Sequence, residues 1–317
     1  GDTLLLYGEI DSDRSPSLGS LISSLSYTLP VADQLLLTGS FGYSHRNLIE
    51  LPSPLNTFSS SQYQGLGQLE WVFRNTLNQR WSAFAGVSIS RSNSFIGGNA
   101  LPAVVPASIS TPQNGYLRLG ISGNGVTNNL GWAGNIYLLQ GIAAATPAQQ
   151  RNELGSVGIV AGEAAALGGI ASTSWVIASN WQLNLRAAGQ VALNPLTNPM
   201  QFAIGSDAGI RGLPGQLISG DTGWLGTGEL SWTVWHDRRN AVAIVPFVGC
   251  GGVQTTVSNL TASDTAGAGG LLMRWLHGSD WSMELGYINQ FQTSNNLGPW
   301  NNWLLSKGLY AQLKYKL

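Results

Sequence analysis

The sequence predicts an all-β fold, a transmembrane antiparallel β-barrel of about sixteen strands with one loop folded inward. Three observations carry that prediction. Apolar and polar residues alternate along most of the chain. Of its 317 residues, 43% are apolar and only 10% are charged, against about 25% charged in an ordinary soluble domain. No apolar run approaches the roughly 20 residues that a membrane-spanning helix needs; the stretches 161–170 and 271–276 are broken by Glu163, Arg274 or glycine.

Successive side chains of a strand point to opposite faces, so a wall with lipid outside and water inside alternates with period two. In 181–193, Trp181, Leu183, Leu185, Val191 and Leu193 share one face, and Gln182, Asn184, Arg186 and Gln190 the other. Likewise Tyr63, Leu69, Trp71 and Phe73 oppose Gln62, Gln64, Gln68 and Glu70, while Trp281, Met283, Leu285 and Tyr287 oppose Ser282 and Glu284. The segment 21–29 puts Ser24, Ser26 and Thr28 on its polar side, and 224–234 sets Trp224, Leu230, Trp232 and Val234 against Thr227, Glu229, Ser231 and Thr233. The final segment alternates Leu309, Leu313, Tyr315 and Leu317 against Tyr310, Gln312, Lys314 and Lys316.

Strands are thus expected near 3–10, 19–29, 34–44, 62–74, 79–90, 116–125, 130–140, 154–163, 168–178, 181–193, 200–205, 223–235, 241–253, 265–276, 280–289 and 307–316. The Asn-, Pro- and Ser-rich stretches 92–114 and 293–307 read as outer loops. Each membrane strand with its connection consumes about 20 residues, so the chain forms one closed barrel spanning 1–317. Closure is required because lipid offers no hydrogen-bond partner to an open edge. A soluble β-sandwich also alternates. Tryptophans near strand ends, at Trp81, Trp132, Trp181, Trp224, Trp281, Trp300 and Trp303, favour the membrane wall, where they would form interfacial girdles.

Composition excludes several functions. With 15 Lys and Arg against 16 Asp and Glu, charge names no partner, nucleic acid included. The single Cys forms no intrachain disulfide, and no Cys/His spacing suggests a metal. No GxGxxG or Walker loop is present, so neither nucleotide nor other cofactor is expected. His45, His236 and His277 lie far apart, without a G-x-S-x-G elbow or H-E-x-x-H. A Ser/His lipase site assembled in space is the enzymatic alternative, and the reading adopted is no enzyme. The chain does not begin with a basic region and apolar core, so no signal peptide is expected within it.

The segment 202–232 reads FAIGSDAGIRGLPGQLISGDTGWLGTGELSW, with Val245-Pro246-Phe247-Val248 in the next strand. Its tetrapeptide Ile210-Arg211-Gly212-Leu213 is preceded by Phe202-x-x-Gly205 and followed by Gly220-Asp221-x-Gly223 and Glu229-Leu230. This pattern resembles the bacterial outer-membrane polypeptide-transport barrels, above all the TpsB-type transporters of two-partner secretion. Their hallmark is a VRGY or VRGF tetrapeptide in a long loop between strands eleven and twelve. The resemblance implies a pore for polypeptide export, with a loop over 206–222 that enters the lumen and governs opening.

Two departures accompany it. Leu213 stands where the family has an aromatic ring, and the carboxylate that members place on strand thirteen to pair with the arginine is missing, since the matching positions read Gly249-Cys250-Gly251. A buried guanidinium without a partner costs several kcal/mol, so another acid is required. Glu229 is the first candidate because alternation points it inward; Asp207 and Asp221 are local alternatives. Gly205, Gly209, Gly212 and Gly215 would let the loop fold back in a narrow space. The family's periplasmic polypeptide-transport-associated domains are not expected in this chain, whose strand pattern begins by Thr3.

The partners implied are a secreted or inserted polypeptide and outer-membrane lipid, for a monomeric barrel. The location implied is a Gram-negative-type outer membrane, and the Asn, Gln and Gly content is compatible with a cyanobacterial or plastid-type source. A passive solute porin and a protein-inserting barrel are the alternatives. A porin would lack a loop of this kind in its lumen.

Overall fold

Exposed apolar and buried polar side chains, the reverse of a soluble protein, organise the chain. The computed structural model describes residues 2–12, 18–48, 58–102, 104–205, 208–211, 213, 218–257, 260–292 and 307–315. The first strands are β1 (Thr3–Ser12), β2 (Leu18–Ala32), β3 (Leu35–Leu48), β4 (Phe58–Asn75), β5 (Gln79–Ile96) and the short β6 (Asn99–Ala100). Then follow β7 (Gln113–Thr127), β8 (Leu130–Gly141), β9 (Ala165–Ala178), β10 (Trp181–Ala192), β11 (Phe202–Ile204) and β12 (Ile218–Gly220). The last are β13 (Thr222–His236), β14 (Asn240–Val257), β15 (Leu260–His277), β16 (Trp281–Gln292) and β17 (Lys307–Tyr315).

The main sheet runs β1-β2-β3-β4-β5-β7-β8-β9-β10-β13-β14-β15-β16-β17, every neighbour antiparallel, with β6 on β5 and β11-β12 as a separate pair. The sheet curls into a barrel: Tyr7 of β1 and Gln312 and Lys314 of β17 line one cavity of about 1260 Å³ together with Arg80, Arg186 and Glu229. Its outward face carries exposed Leu25, Leu69, Leu119, Leu185, Leu271 and Tyr287, among others, whereas Ser82, Ser88, Gln190, Asp264, Glu284 and Gln290 are buried. Only a lipid surround makes that inversion favourable.

Inward side chains also interlock. Ser82 and Ser122 share a hydrogen bond of 2.8 Å, and the Arg118 guanidinium lies over the Phe84 and Tyr137 rings, 5.0 and 4.8 Å from their centroids. Outward tryptophans gather at the end with the short turns: Trp71, Trp132, Trp175, Trp232, Trp275 and Trp281 all stand near the turns at 76–78, 128–129, 179–180, 237–239 and 278–280. Trp181 and Trp232 stack there at 5.3 Å. Trp224 stands at the opposite strand end, and Trp300 and Trp303 fall outside the described residues.

Two expected strands are corrected. The segment 154–163 is the end of a helix, α2 (Ala148–Ser156), and the turns after it. Its alternation is overridden by contacts with α1 (Ala107–Ser110) and the start of β7: the Ser108 N–H donates to Glu153 Oε2 at 2.7 Å, and the Gln150 side chain accepts from the Gln113 N–H at 2.9 Å and donates to the Thr111 carbonyl at 2.9 Å. The segment 200–205 contributes only β11, which pairs with β12 and not with the wall. The loop carrying Arg211 therefore follows the ninth strand of the main sheet order, not the eleventh.

At the short-turn end, Asp237 Oδ1 accepts from the backbone N–H groups of Arg239 and Asn240, both at 2.7 Å. These bonds favour the ionised form and hold the Asp237 carboxyl below its ordinary 3.8. A depressed pKa stabilises the fold above the ordinary value, and that contribution is lost as pH falls through the lowered one. Asp237→Ala should therefore speed amide exchange at Arg239 and Asn240 at neutral pH, and the difference from the parent protein should close as the sample is acidified below the carboxylate range.

Candidate functional site

The connection from β10 to β13 is tied at its base before its tip reaches the wall. Phe202 pairs with Gly220, Ala203 with Ser219 and Ile204 with Ile218, so β11 and β12 bring the two ends of the segment side by side. The buried Gln190 amide of β10 donates to the Met200 carbonyl at 2.8 Å and to the Asp221 carbonyl at 3.1 Å, one on each side of this neck. Asp221 is buried; its carboxylate accepts from Gln201 Nε2 at 3.0 Å and its N–H donates to Thr255 Oγ1 at 3.3 Å. Its side chain is thus used at the neck, apart from the arginine that sequence reasoning offered it.

Beyond the neck, the Ile210 N–H returns to the Gly205 carbonyl at 3.1 Å. Gly209 adopts φ +105°, a conformation that favours glycine, and it lies close to the end of the Arg186 side chain. Phe202, Ile204, Ile210 and Leu213 are buried against Leu225, Val245, Phe247, Leu272 and Ile288 on the buried face of β13 to β16. Leu213, in the place of an aromatic ring, fills that contact with an aliphatic group. Wall glycines make room for the others: a Cβ on Gly249 would meet Ile210 at 3.1 Å, and one on Gly251 would meet Ile204 at 2.7 Å. The positions that lack the expected carboxylate are thus the seat of two loop isoleucines.

The charge is met elsewhere. Arg211 Nε donates to Glu229 Oε1 at 2.6 Å, and its Nη1 donates to Glu284 Oε2 at 2.5 Å. Arg274 takes the other oxygen of each acid, Nε to Glu284 Oε1 at 2.7 Å and Nη2 to Glu229 Oε2 at 3.4 Å. Two arginines and two glutamates close a neutral square across β13, β15 and β16, with Arg211 its sole member from the loop. Arg274 and Glu284 are direct cross-strand partners, which fixes their half of the square in the wall. The arginine and Glu229 side chains are about one-fifth exposed and Glu284 is 8% exposed. Losing Arg211 should therefore cost on the order of 1–3 kcal/mol, less than the 3–5 of a fully buried pair because water screens it.

Of the candidate residues, the structure brings together Ile210, Arg211, Leu213 and Glu229. Gly205 and Gly209 shape the turn that carries them, while Gly212, Gly215 and Asp207 lie outside the described residues. Glu284 and Arg274 complete the square, and sequence reasoning did not select them. Each left a signal: Glu284 falls on the polar side of an alternating segment, and Arg274 interrupts an apolar run.

The sequence profile of a family described as haemolysin secretion/activation protein ShlB/FhaC/HecB matches residues 1–271. The chain belongs to that family. ShlB/FhaC/HecB proteins are a secretion family of Gram-negative outer membranes, not an enzyme family. No curated protein matches the chain. Among solved structures, CdiB from Escherichia coli is similar with a TM-score of 0.76 at 15% identity, over 99% of this chain and 56% of that one. CdiB from Acinetobacter baumannii gives 0.65 at 17% identity, over 93% and 51% respectively. BamA from Haemophilus ducreyi, in a structure lacking POTRA domains 1–3, gives 0.59 at 12% identity over 99% and 64%. These likenesses show the fold, and the chain spans about half the length of the CdiB chains. None of these matches lends support to a cyanobacterial or plastid-type source.

Two substitutions test the seat. Gly251→Leu should push Ile204 off the wall and increase protease cleavage within 205–217, at a cost of about 1–3 kcal/mol. Gly226→Leu on the same hairpin, where a Cβ meets nothing within 4 Å, should leave cleavage unchanged.

Proposed function

We propose that this chain is the membrane-spanning barrel of a two-partner secretion transporter, exporting an unfolded polypeptide through the outer membrane. In this reading the segment 206–222 lies in the lumen as a movable plug. The barrel acts as a monomer surrounded by outer-membrane lipid, with no nucleotide and no cofactor. The observation that carries the reading is the Arg211 guanidinium, bonded to acids on β13 and β16 while its own backbone belongs to the loop. A planar fork that bridges two acids holds one orientation and releases it as a unit, which suits a plug better than an apolar contact alone.

The polypeptide would pass an inner surface on which neutral polar groups stand among charged ones. Arg80, Arg186, Arg211, Glu229 and Lys314 line the cavity, and between them stand the neutral Asn75, Asn124, Ser172 and Asn184. Such groups hydrogen-bond an extended backbone without reading its sequence, as strand addition does. Insertion of membrane proteins is the second reading, supported by the fold shared with BamA. Export is preferred because the matching family is one of secretion proteins.

Planar-bilayer conductance tests the plug. The intact protein should conduct little and intermittently, and Arg211→Ala should raise the open fraction and impair export of the polypeptide. A steady open pore in both proteins would point to a passive porin and end the plug reading. Glu229→Gln and Glu284→Gln should each shift the open fraction in the same direction as Arg211→Ala, by a smaller amount, because one carboxylate still holds the guanidinium.

A further inference from the structure

A feature of the outer wall, remote from the charged square, carries a separate inference. On β2 to β5 the outward side chains run in register: Leu25 pairs with Phe41 and Tyr27 with Gly39, Phe41 with Gly65 and Gly39 with Gly67, Gly65 with Ile89 and Gly67 with Val87. Three glycines stand together where the wall elsewhere carries bulky apolar groups. A Cβ on any of them would meet nothing within 4 Å. The result is a groove of about 550 Å³, floored by glycine and flanked by Leu25, Tyr27, Phe41, Val87 and Ile89.

The next outward rung towards the long loops is Tyr43, Tyr63 and Arg91, and the one beyond it is His45, Ser61 and Asn93. The two tyrosine rings pack at 5.0 Å, and His45 Nδ1 shares a hydrogen bond of 2.9 Å with Ser61 Oγ. Arg91 is exposed and has no ion-pair partner among the described residues. Its level follows from the strand. Trp81, at the short-turn end of β5, precedes it by ten residues; at about 3.3 Å per residue and a tilt of about 40°, Arg91 stands roughly 25 Å higher, the height of the apolar band. The groove thus lies at acyl-chain depth, and a guanidinium stands above it at headgroup depth.

We propose that β2 to β5 form a lipid-binding site, in which an acyl chain lies on the glycine floor and Arg91 holds a headgroup phosphate, with the His45–Ser61 pair and Asn93 beside it. The occupant is a phosphate-bearing acyl lipid of the leaflet on the long-loop side. An apolar concavity matches the chain, and a planar fork of donors matches the phosphate. A second copy fits poorly, because a two-fold contact through this face would set Arg91 against its own equivalent. The proposal rests on the membrane placement of the barrel but not on the plug.

The test reconstitutes the whole chain in phosphatidylcholine bilayers holding a small fraction of phosphatidic acid with a diazirine on one acyl chain, or the matched diacylglycerol, and maps photoadducts by mass spectrometry. Phosphatidic acid should label Phe41, Tyr63 and Ile89 at least about threefold more than outward residues such as Leu271 and Tyr287. Arg91→Gln should remove that excess while labelling of the rest of the wall persists, and Gly65→Leu, which has space for its side chain, should abolish the groove adducts. Even labelling, an equal excess with diacylglycerol, or an unchanged excess in Arg91→Gln would overturn the site. So would copy-to-copy crosslinks through the groove, or complete displacement by inorganic phosphate. An absence of label over the whole wall would instead defeat the membrane placement itself.

Discussion

A peptide group facing hydrocarbon has no solvent to bond with, and from this constraint the rest of the molecule follows. Each strand within the main sheet gives its N–H and C=O groups to a neighbour on either side, which produces the unbroken antiparallel order from β1 to β17. Once the backbone is so engaged, side chains sort themselves by face. Leucine and tyrosine point outward, while serine, glutamine and glutamate are held inside, where they have each other and water.

The interior then has to accommodate charge. Arg118 is placed between two rings, and Arg211 and Arg274 are balanced by Glu229 and Glu284. In the square, each carboxylate gives one oxygen to the wall arginine and one to the loop arginine. The wall half therefore keeps a cation whether or not the loop is docked, so departure of Arg211 does not strand two bare acids. The apolar seat acts alongside it. Ile204 and Ile210 enter spaces left by wall glycines, which sets where the loop rests, while the charges set its orientation.

The wall was legible because alternation is local, and each strand reports its own two environments. The segment 181–193 needs no partner to be read as β10. Helix α2 was hidden because 154–163 happens to alternate, whereas the contacts that fix the helix come from Ser108, Thr111 and Gln113, some forty residues earlier. The same limit governs the site. Alternation sufficed to point Glu229 inward, next to the loop in sequence. Glu284 is 73 residues from Arg211, and only the register of β13 to β16 brings it near. A single sequence carries no register, so an inward acid on β16 and an interrupting arginine on β15 could be noticed but not joined.

The neck of β11 and β12 has a consequence for how the connection can vary. Because the segment leaves and rejoins the wall at one point, clamped by Gln190 and by Thr255, whatever lies beyond it hangs like a drawer on a single pair of rails. Exchanges between the two rails, after Ile204 and before Ile218, need not disturb the register of β10 against β13. The tip is then free to differ in length and chemistry while the cylinder that carries it stays as it is.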